Sequence, residues 1–463
     1  MKSSLFKYSS VAPALGLLSL AACDTSEKSI PEDPNIIYIF VDDLGYGDLS
    51  SYGQTKFATP NIDRIAQEGI KFTNHYSGST VSAPSRSALM TGLHTGNTPI
   101  RGNKEIEPEG QHPMPADTRT VAHELQDAGY ATGAVGKWGL GYPGSVSDPL
   151  KMGFDYFFGA NCQRHAHHYY LDYLWENDQR VEYDKPVYTH DKMTKKAFEF
   201  VESNKDKPFF LYLPYKIPHA EMVLPDEYLE PFIGKYPEPN PWGGGHYGAQ
   251  EHPRAALAAM ITHLDNDIGR LLDLLEELGI DDNTVVLFTS DNGPHVEGGN
   301  DPDFFDSNGG LRGYKRDLYE GGIRVPFVVR WPGVIEPGRV SDHISANWDM
   351  YPTFCEIAQL DVPEGLDGIS MLPEFLGKEQ KSHEYLYWEF HEMGGRQAVR
   401  MGDWKGVRYG IFEGNLDVEL YNLVEDPAEK NDLSADYPEI ASQIADIMEN
   451  GRTPSELFPF PLD

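Results

Sequence analysis

Asn35-Ile36-Ile37-Tyr38-Ile39-Phe40-Val41 carries no charge and stops abruptly at Asp42-Asp43-Leu44-Gly45-Tyr46-Gly47-Asp48. A short continuous apolar run bounded by a turn signal is the pattern of a strand buried on both faces, as in a parallel sheet. Open parallel sheets bind ligands beyond the carboxyl ends of their strands. Asp42 and Asp43 therefore fall where a site is expected. Two adjacent carboxylates resist ionising together unless a cation or an arginine compensates them. A hard divalent metal with oxygen ligands meets that need. The plainer alternative is an Asp-rich turn before Gly45. A second run, Thr284-Val285-Val286-Leu287-Phe288-Thr289, ends in Ser290-Asp291-Asn292-Gly293-Pro294-His295. It puts another acid and an amide at the same edge.

Between these runs, strand and helix patterns alternate. Residues 59–69 read as a helix with a cap at Thr59, a first-turn proline and a closing glycine. A short strand follows at 70–73. A helix from near 118 through Val121, Leu125 and Ala128 leads to a strand at 130–137, with Lys137 at its carboxyl end. A helix over 190–204 precedes a strand over 208–213, and His219 stands just beyond. Leu257, Ile261, Leu264, Ile268, Leu271 and Leu275 recur at helical spacing, a stripe that belongs to the core. Near residue 375 the alternation gives way to strand-like pieces at 385–390, 396–401 and 405–409, then a helix over 438–450. The expected fold is α/β, a large mostly parallel central sheet flanked by helices with a smaller C-terminal antiparallel sheet plus helix. Residues 34–375 would form the main domain and 376–463 the C-terminal subdomain.

A length of 463 residues exceeds one ordinary core. The net charge of −34 excludes nucleic acid as a partner, since that needs a basic footprint. An anionic substrate would need a local cluster of cations against the overall field. At the N-terminus, Lys2 and Lys7 precede an apolar run over 11–18 that ends in Leu20-Ala21-Ala22-Cys23. That is a secretory signal, too short to span a membrane. Cysteine after Leu-Ala-Ala resembles the bacterial lipobox, in which Cys23 is lipidated and becomes the mature N-terminus. Residues 1–22 are then a lipoprotein signal peptide and 23–33 a tether. The expected product is an exported bacterial lipoprotein of the periplasm or cell surface, on the membrane through its lipid anchor only. Cys162 and Cys355 remain, and two cysteines so far apart are expected to be buried or free, not bridged.

Val81-Ser82-Ala83-Pro84-Ser85-Arg86-Ser87-Ala88-Leu89-Met90-Thr91-Gly92 sets small polar residues before a proline and closes on a glycine. Proline suits the first helical turn, and glycine the position past a helix end. Ser82 then sits at a helix N-terminus, where free N–H groups favour an anion. Arg86, about one turn later, points back to the same place. Capping by Ser82 or Ser85 explains the same residues without chemistry. The order Ser-x-Pro-x-Arg, then Leu-x-Thr-Gly, resembles the signature of the type I sulfatases. That family oxidises the first residue of the motif, Cys or Ser, to formylglycine, whose hydrated aldehyde supplies the attacking hydroxyl. Asp42/Asp43, Lys137, His219 and Asp291/Asn292 follow the family's order along essentially the whole mature chain. Glu419-Leu420-Tyr421-Asn422-Leu423, with Asp426-Pro427, resembles its closing motif.

The resemblance implies an alkaline phosphatase-like fold and a sulfuric ester hydrolase. It implies that Asp42, Asp43, Asp291 and Asn292 hold one Ca2+, with the formylglycine from Ser82 completing the sphere; all are hard oxygen donors. Arg86, Lys137 and Lys315 match the cations that surround the transferring sulfuryl oxygens. His219 matches the histidine that protonates the departing alcohol. A serine at 82 implies the oxygen-independent bacterial formylglycine-generating maturase as partner. One position departs from the pattern. The family commonly reads Gly-Lys-Trp-His-Leu-Gly, and here Gly136-Lys137-Trp138-Gly139-Leu140-Gly141 lacks the histidine. In the family that histidine is thought to contact the formylglycine and help break the covalent sulfate hemiacetal, so either another group takes that role, His94 or water, or that step is slow. Asn161-Cys162-Gln163-Arg164-His165-Ala166-His167-His168-Tyr169-Tyr170 is dense in recognition groups. Arg164, His165, His167 and His168 are expected to contact sugar and sulfate, the alternative being a structural loop. Sulfated oligosaccharides of algal polysaccharides (carrageenan, other galactans or ulvan), cut at terminal sulfates, are the first choice of substrate; host glycans come second. The rival readings are a phosphomonoesterase or phosphonate hydrolase of the same superfamily, and a non-catalytic glycan-binding lipoprotein.

Overall fold

The computed structural model describes Met1 and residues 30–461. The signal peptide, Cys23 and most of the tether lie outside the described residues. Every residue of the strands Asn35–Val41, Ala131–Lys137, Phe209–Leu213 and Thr284–Ser290 is buried. Their side chains alternate between two cores because successive residues of a strand point to opposite faces. Ile37, Ile39 and Val41 join the core beneath the helix Pro253–Glu277, whose stripe Leu257, Ile261, Leu264, Ile268, Leu271 and Leu275 packs there. Ile36, Tyr38 and Phe40 join the core on the other face, with Met350, Phe354 and Ile357 of the helix Met350–Ile357.

The main sheet has ten strands among the described residues, in the order Arg339–Ser341, Ile70–Phe72, Phe327–Arg330, Thr284–Ser290, Asn35–Val41, Phe209–Leu213, Ala131–Lys137, Tyr156–Ala160, Tyr170–Glu176, Gln179–Tyr188. The five from Thr284–Ser290 to Tyr156–Ala160 are mutually parallel. Val41 pairs with Ser290 and Lys137 with Ala160, so these strands end at one level. The last two strands form an antiparallel hairpin, turned at Asn177 with φ 55°. No apolar run announces them, because both are largely half-exposed.

The C-terminal sheet is antiparallel in the order Leu386–Phe390, Arg396–Met401, Trp404–Tyr409, Glu419–Asn422. The helix Pro438–Asn450 packs Ile444 and Met448 on it. The fourth strand was visible in the sequence only as part of a motif. Cys162 and Cys355 are both buried and free. Among the described residues, no helix is long and apolar enough to cross a membrane.

The C-terminal sheet is joined to the rest of the fold by buried charge. Lys405 Nζ donates to Glu320 Oε1 at 2.9 Å, and both side chains have no exposed surface. Glu320 Oε2 accepts from Tyr76 OH at 2.7 Å, and Glu320 N donates to Glu429 Oε2 at 2.6 Å. Removing one partner strands the other charge in a medium that cannot solvate it. Lys405→Met is expected to cost about 3–5 kcal/mol, read as a lower urea midpoint than that of the parent chain.

Candidate active site

The helix Ser82–Thr91 starts without a side-chain cap. Its N-cap is Val81 in an extended conformation, and Gly92 at φ 68° ends it as expected. Ser82 Oγ donates instead to Asp42 Oδ1 at 2.8 Å. The serine is therefore turned toward the strand-end acid and does not serve its own helix. Lys137 Nζ stands 2.5 Å from Asp42 Oδ2 and 3.2 Å from Ser82 Oγ. Arg86 Nη2 lies 3.0 Å from Asp291 Oδ2 and 3.4 Å from Asp42 Oδ2, and Nη1 donates to Lys137 O at 2.8 Å. Arg86 is fully buried, and its guanidinium sits 5.5 Å over the Phe40 ring.

Asp43 follows with φ 66°, a left-handed conformation that is costly for a residue with a side chain and recurs at functional sites. That turn lets its N–H donate to Asp291 Oδ1 at 3.1 Å while Asn292 Nδ2 donates to Asp43 Oδ1 at 2.7 Å. Lys315 Nζ donates to Asp43 Oδ2 at 2.9 Å and stands 3.1 Å from His219 Nε2. Asp42, Asp43, Ser82, Arg86, Lys137, His219, Asp291, Asn292 and Lys315 thus meet at one edge of the sheet.

A narrow cavity of about 90 Å³ opens onto this edge, with Ser82, Lys137, His219 and Lys315 in its wall. A larger cavity of about 550 Å³, beside Ala131, Tyr156 and Lys196, lies at the opposite, amino end of the strand Ala131–Lys137 and holds none of these groups. Of the four residues expected to contact sugar, only His167 lines the narrow cavity. Arg164 forms a surface ion pair with Glu107, with Glu105 at 3.9 Å. His165 stacks on Tyr173 at 4.2 Å between ring centroids, and His168 Nδ1 lies 3.2 Å from Glu221 Oε2. Glu107, Tyr173 and Glu221 are thus the partners of Arg164, His165 and His168.

His94 does not replace the missing imidazole. It packs on Tyr387 and pairs with Asp367 beyond the far end of the Ser82 helix. The space belongs to Gln163. Gly139 adopts φ 77°, and a Cβ there would meet Gln163 Nε2 at 2.6 Å. Gln163, Asn103, Glu105, Tyr247 and Arg316 also line the cavity and were not singled out in the sequence. Only Gln163 had a signal there, its place inside the dense 161–170 stretch.

Residues 34–360 match the family model described as Sulfatase. The chain belongs to the sulfatase family. It is a type I sulfatase of the alkaline phosphatase superfamily and a sulfuric ester hydrolase. Residues 311–453 of this sulfatase match a second model, N-sulphoglucosamine sulphohydrolase, C-terminal. It is 31% identical to an N-acetylgalactosamine-6-O-sulfatase of Bacteroides thetaiotaomicron, over 95% of this chain and 98% of that one. It is 30% identical to the N-acetylgalactosamine-6-sulfatase of Homo sapiens, over 90% and 85%. Among solved structures, Ps i-CgsB in complex with k-i-k-neocarrahexaose superposes with a TM-score of 0.77 at 30% identity, covering 91% of this sulfatase and 93% of that chain.

Burial and the neighbouring charges together set the sign of each shift. Burial alone would raise Asp42, but Lys137, with Arg86, holds its carboxyl well below the usual range. Asp291, raised by burial and by Asp42 beside it, sits above that range despite Arg86. Burial opposes the charge of Lys315, yet Asp43 and Glu297 hold its ammonium well above an ordinary lysine. Burial and Lys315 push His219 well below an ordinary imidazole, so its ring is neutral. Asn292 Oδ1 is buried and has no hydrogen-bond partner. An orphaned amide oxygen among three carboxylates suits an oxygen-seeking divalent cation, and the residues fit calcium. Without a cation Asp291 keeps its proton into the range above ordinary carboxyls, and the stability this gives is lost as pH rises through the raised value. A cation must displace that proton. The apparent calcium affinity should therefore rise about tenfold per pH unit across that range, with protons released in calorimetric titrations run in two buffers. Asp291→Asn should abolish the release, and an affinity flat with pH would refute the account.

Proposed function

We propose that this sulfatase removes terminal sulfate esters from carbohydrates, using a formylglycine made from Ser82 and a calcium ion held by Asp42, Asp43, Asp291 and Asn292. One observation carries the reading: Ser82 Oγ is bonded to Asp42 on the wall of a cavity that also holds Lys137, His219 and Lys315. A group at position 82 is thereby aimed at an anion rather than at its own helix. Calcium at those oxygens supplies Lewis-acid polarisation of the sulfate. Lys137 reaches the oxygen of residue 82 and keeps its nucleophilic form close to positive charge. Arg86, braced by Asp291 and by Lys137 O, forms the floor of the site. Lys315 Nζ stands 3.1 Å from His219 Nε2, so the ammonium gives up the proton and the neutral ring passes it from Nε2 to the departing alcohol. Gln163, in the space that a side chain at 139 would take, holds the wall beside the reacting group.

The relatives named for N-acetylgalactosamine-6-sulfate, and the structural neighbour titled with a neocarrahexaose, support a sulfated sugar as substrate. The narrow cavity favours an ester at a chain end over one inside a polymer. Algal galactan fragments are the first candidates. We further propose export through the N-terminal signal, anchoring at Cys23 and conversion of Ser82 by a dedicated maturase.

Peptide mass analysis after co-expression with such a maturase should find residue 82 lighter by two hydrogens. Ser82→Ala should lower kcat by at least about 10³-fold, which is roughly 4 kcal/mol of barrier. His219→Ala should cost about 10²–10⁴-fold, more for sugar leaving groups than for acidic phenols. An unmodified, still active serine, or turnover of phosphate esters alone, would overturn the proposal.

A further inference from the structure

Each cation at or beneath the cavity stands beside a carboxylate. Lys137 is on Asp42, Arg86 on Asp291, Lys315 on Asp43, and Arg316 Nη2 stands 2.6 Å from Glu297 Oε1. The rest of the wall is different in kind. Asn103, Glu105, Gln163, His167 and Tyr247 line it. Glu105 keeps 48% of its side chain exposed. Its partner Arg164 is 3.9 Å away and already held by Glu107. Glu392, from the turn between Leu386–Phe390 and Arg396–Met401, accepts from Asn103 N at 3.3 Å and stands behind this wall without lining it. Gln111, buried, also lines it, and flat rings make up the remainder. His167 stacks on His219 at 5.1 Å and 13°, Tyr247 lies 5.6 Å from His167, and His246 Nε2 fixes His167 Nδ1 at 2.9 Å.

We propose that this wall is a subsite for an uncharged sugar ring, so that the enzyme selects esters whose only anionic group near the cut is the sulfate being removed. The proposal rests on the sulfatase reading of the preceding subsection and narrows its substrate class. Ionised Glu105 is an acceptor only, and sugar hydroxyls are donors that satisfy it. The C–H faces of a pyranose fit against the rings of Tyr247 and His167. A second sulfate or a carboxylate on the neighbouring position would meet Glu105 on this wall. In a partly desolvated cleft, like charges a few ångströms apart repel strongly.

The test compares two esters of the same sugar backbone, one singly sulfated and one with a second sulfate or a carboxylate beside the cut. An aryl sulfate serves as the control. The singly charged sugar should have a kcat/KM at least about tenfold higher at low salt, with the gap shrinking as salt screens the wall. Glu105→Gln should narrow the gap about three- to tenfold, and the pair Glu105→Gln, Glu392→Gln should narrow it further. The ratio within each variant is the readout, so a general loss of activity does not blur it. Preference for the doubly charged ester, or a gap indifferent to salt and to both variants, would overturn the subsite. If the aryl sulfate is still cleaved in that case, the sulfatase reading survives. Failure to release sulfate from any of the three esters would refute both.

Discussion

One buried carboxylate, that of Asp42, holds the active site together. Its two oxygens take the hydroxyl of Ser82, the ammonium of Lys137 and an edge of the Arg86 guanidinium. A lone ion at that depth would be costly, and each partner would be too. They persist because each answers another, so no one of them can be removed without stranding its neighbours. Asp43 and Asp291 repeat the arrangement one residue and one strand away. The cost of packing so much charge at a sheet edge is met by making the pairs mutual.

The sheet does the gathering. Asp42, Lys137, His219 and Asp291 are far apart in the chain, yet neighbouring parallel strands stop at one level and present them together. Parallel order also buries the strands on both faces, which is why they are written as unbroken apolar runs. The same property that makes the strands easy to read makes their ends easy to find.

Legibility in the sequence followed this physics. The central strands, the long helix, the Ser82 helix with its Gly92 end, and the C-terminal helix were all visible, because each is fixed by local periodicity and punctuation. The acids and Lys137 were visible because they abut such runs. The hairpin Tyr170–Glu176 and Gln179–Tyr188 was not, since half-exposed strands lack an apolar run. Arg164, His165 and His168 looked like recognition groups by composition, but their partners Glu107, Tyr173 and Glu221 lie elsewhere in the chain. Residue type names a capability, and only long-range contacts decide where it is spent. Glu105 and Tyr247 gave no local sign at all. They reach the cavity from irregular segments whose path no periodicity encodes.

Ser82 is only 4% exposed, in a helix whose ten residues are all buried. A catalyst that gripped the surrounding peptide would find nothing to hold once the sheet had closed over it. An enzyme that oxidised that serine would therefore have to reach the unfolded chain, in competition with folding.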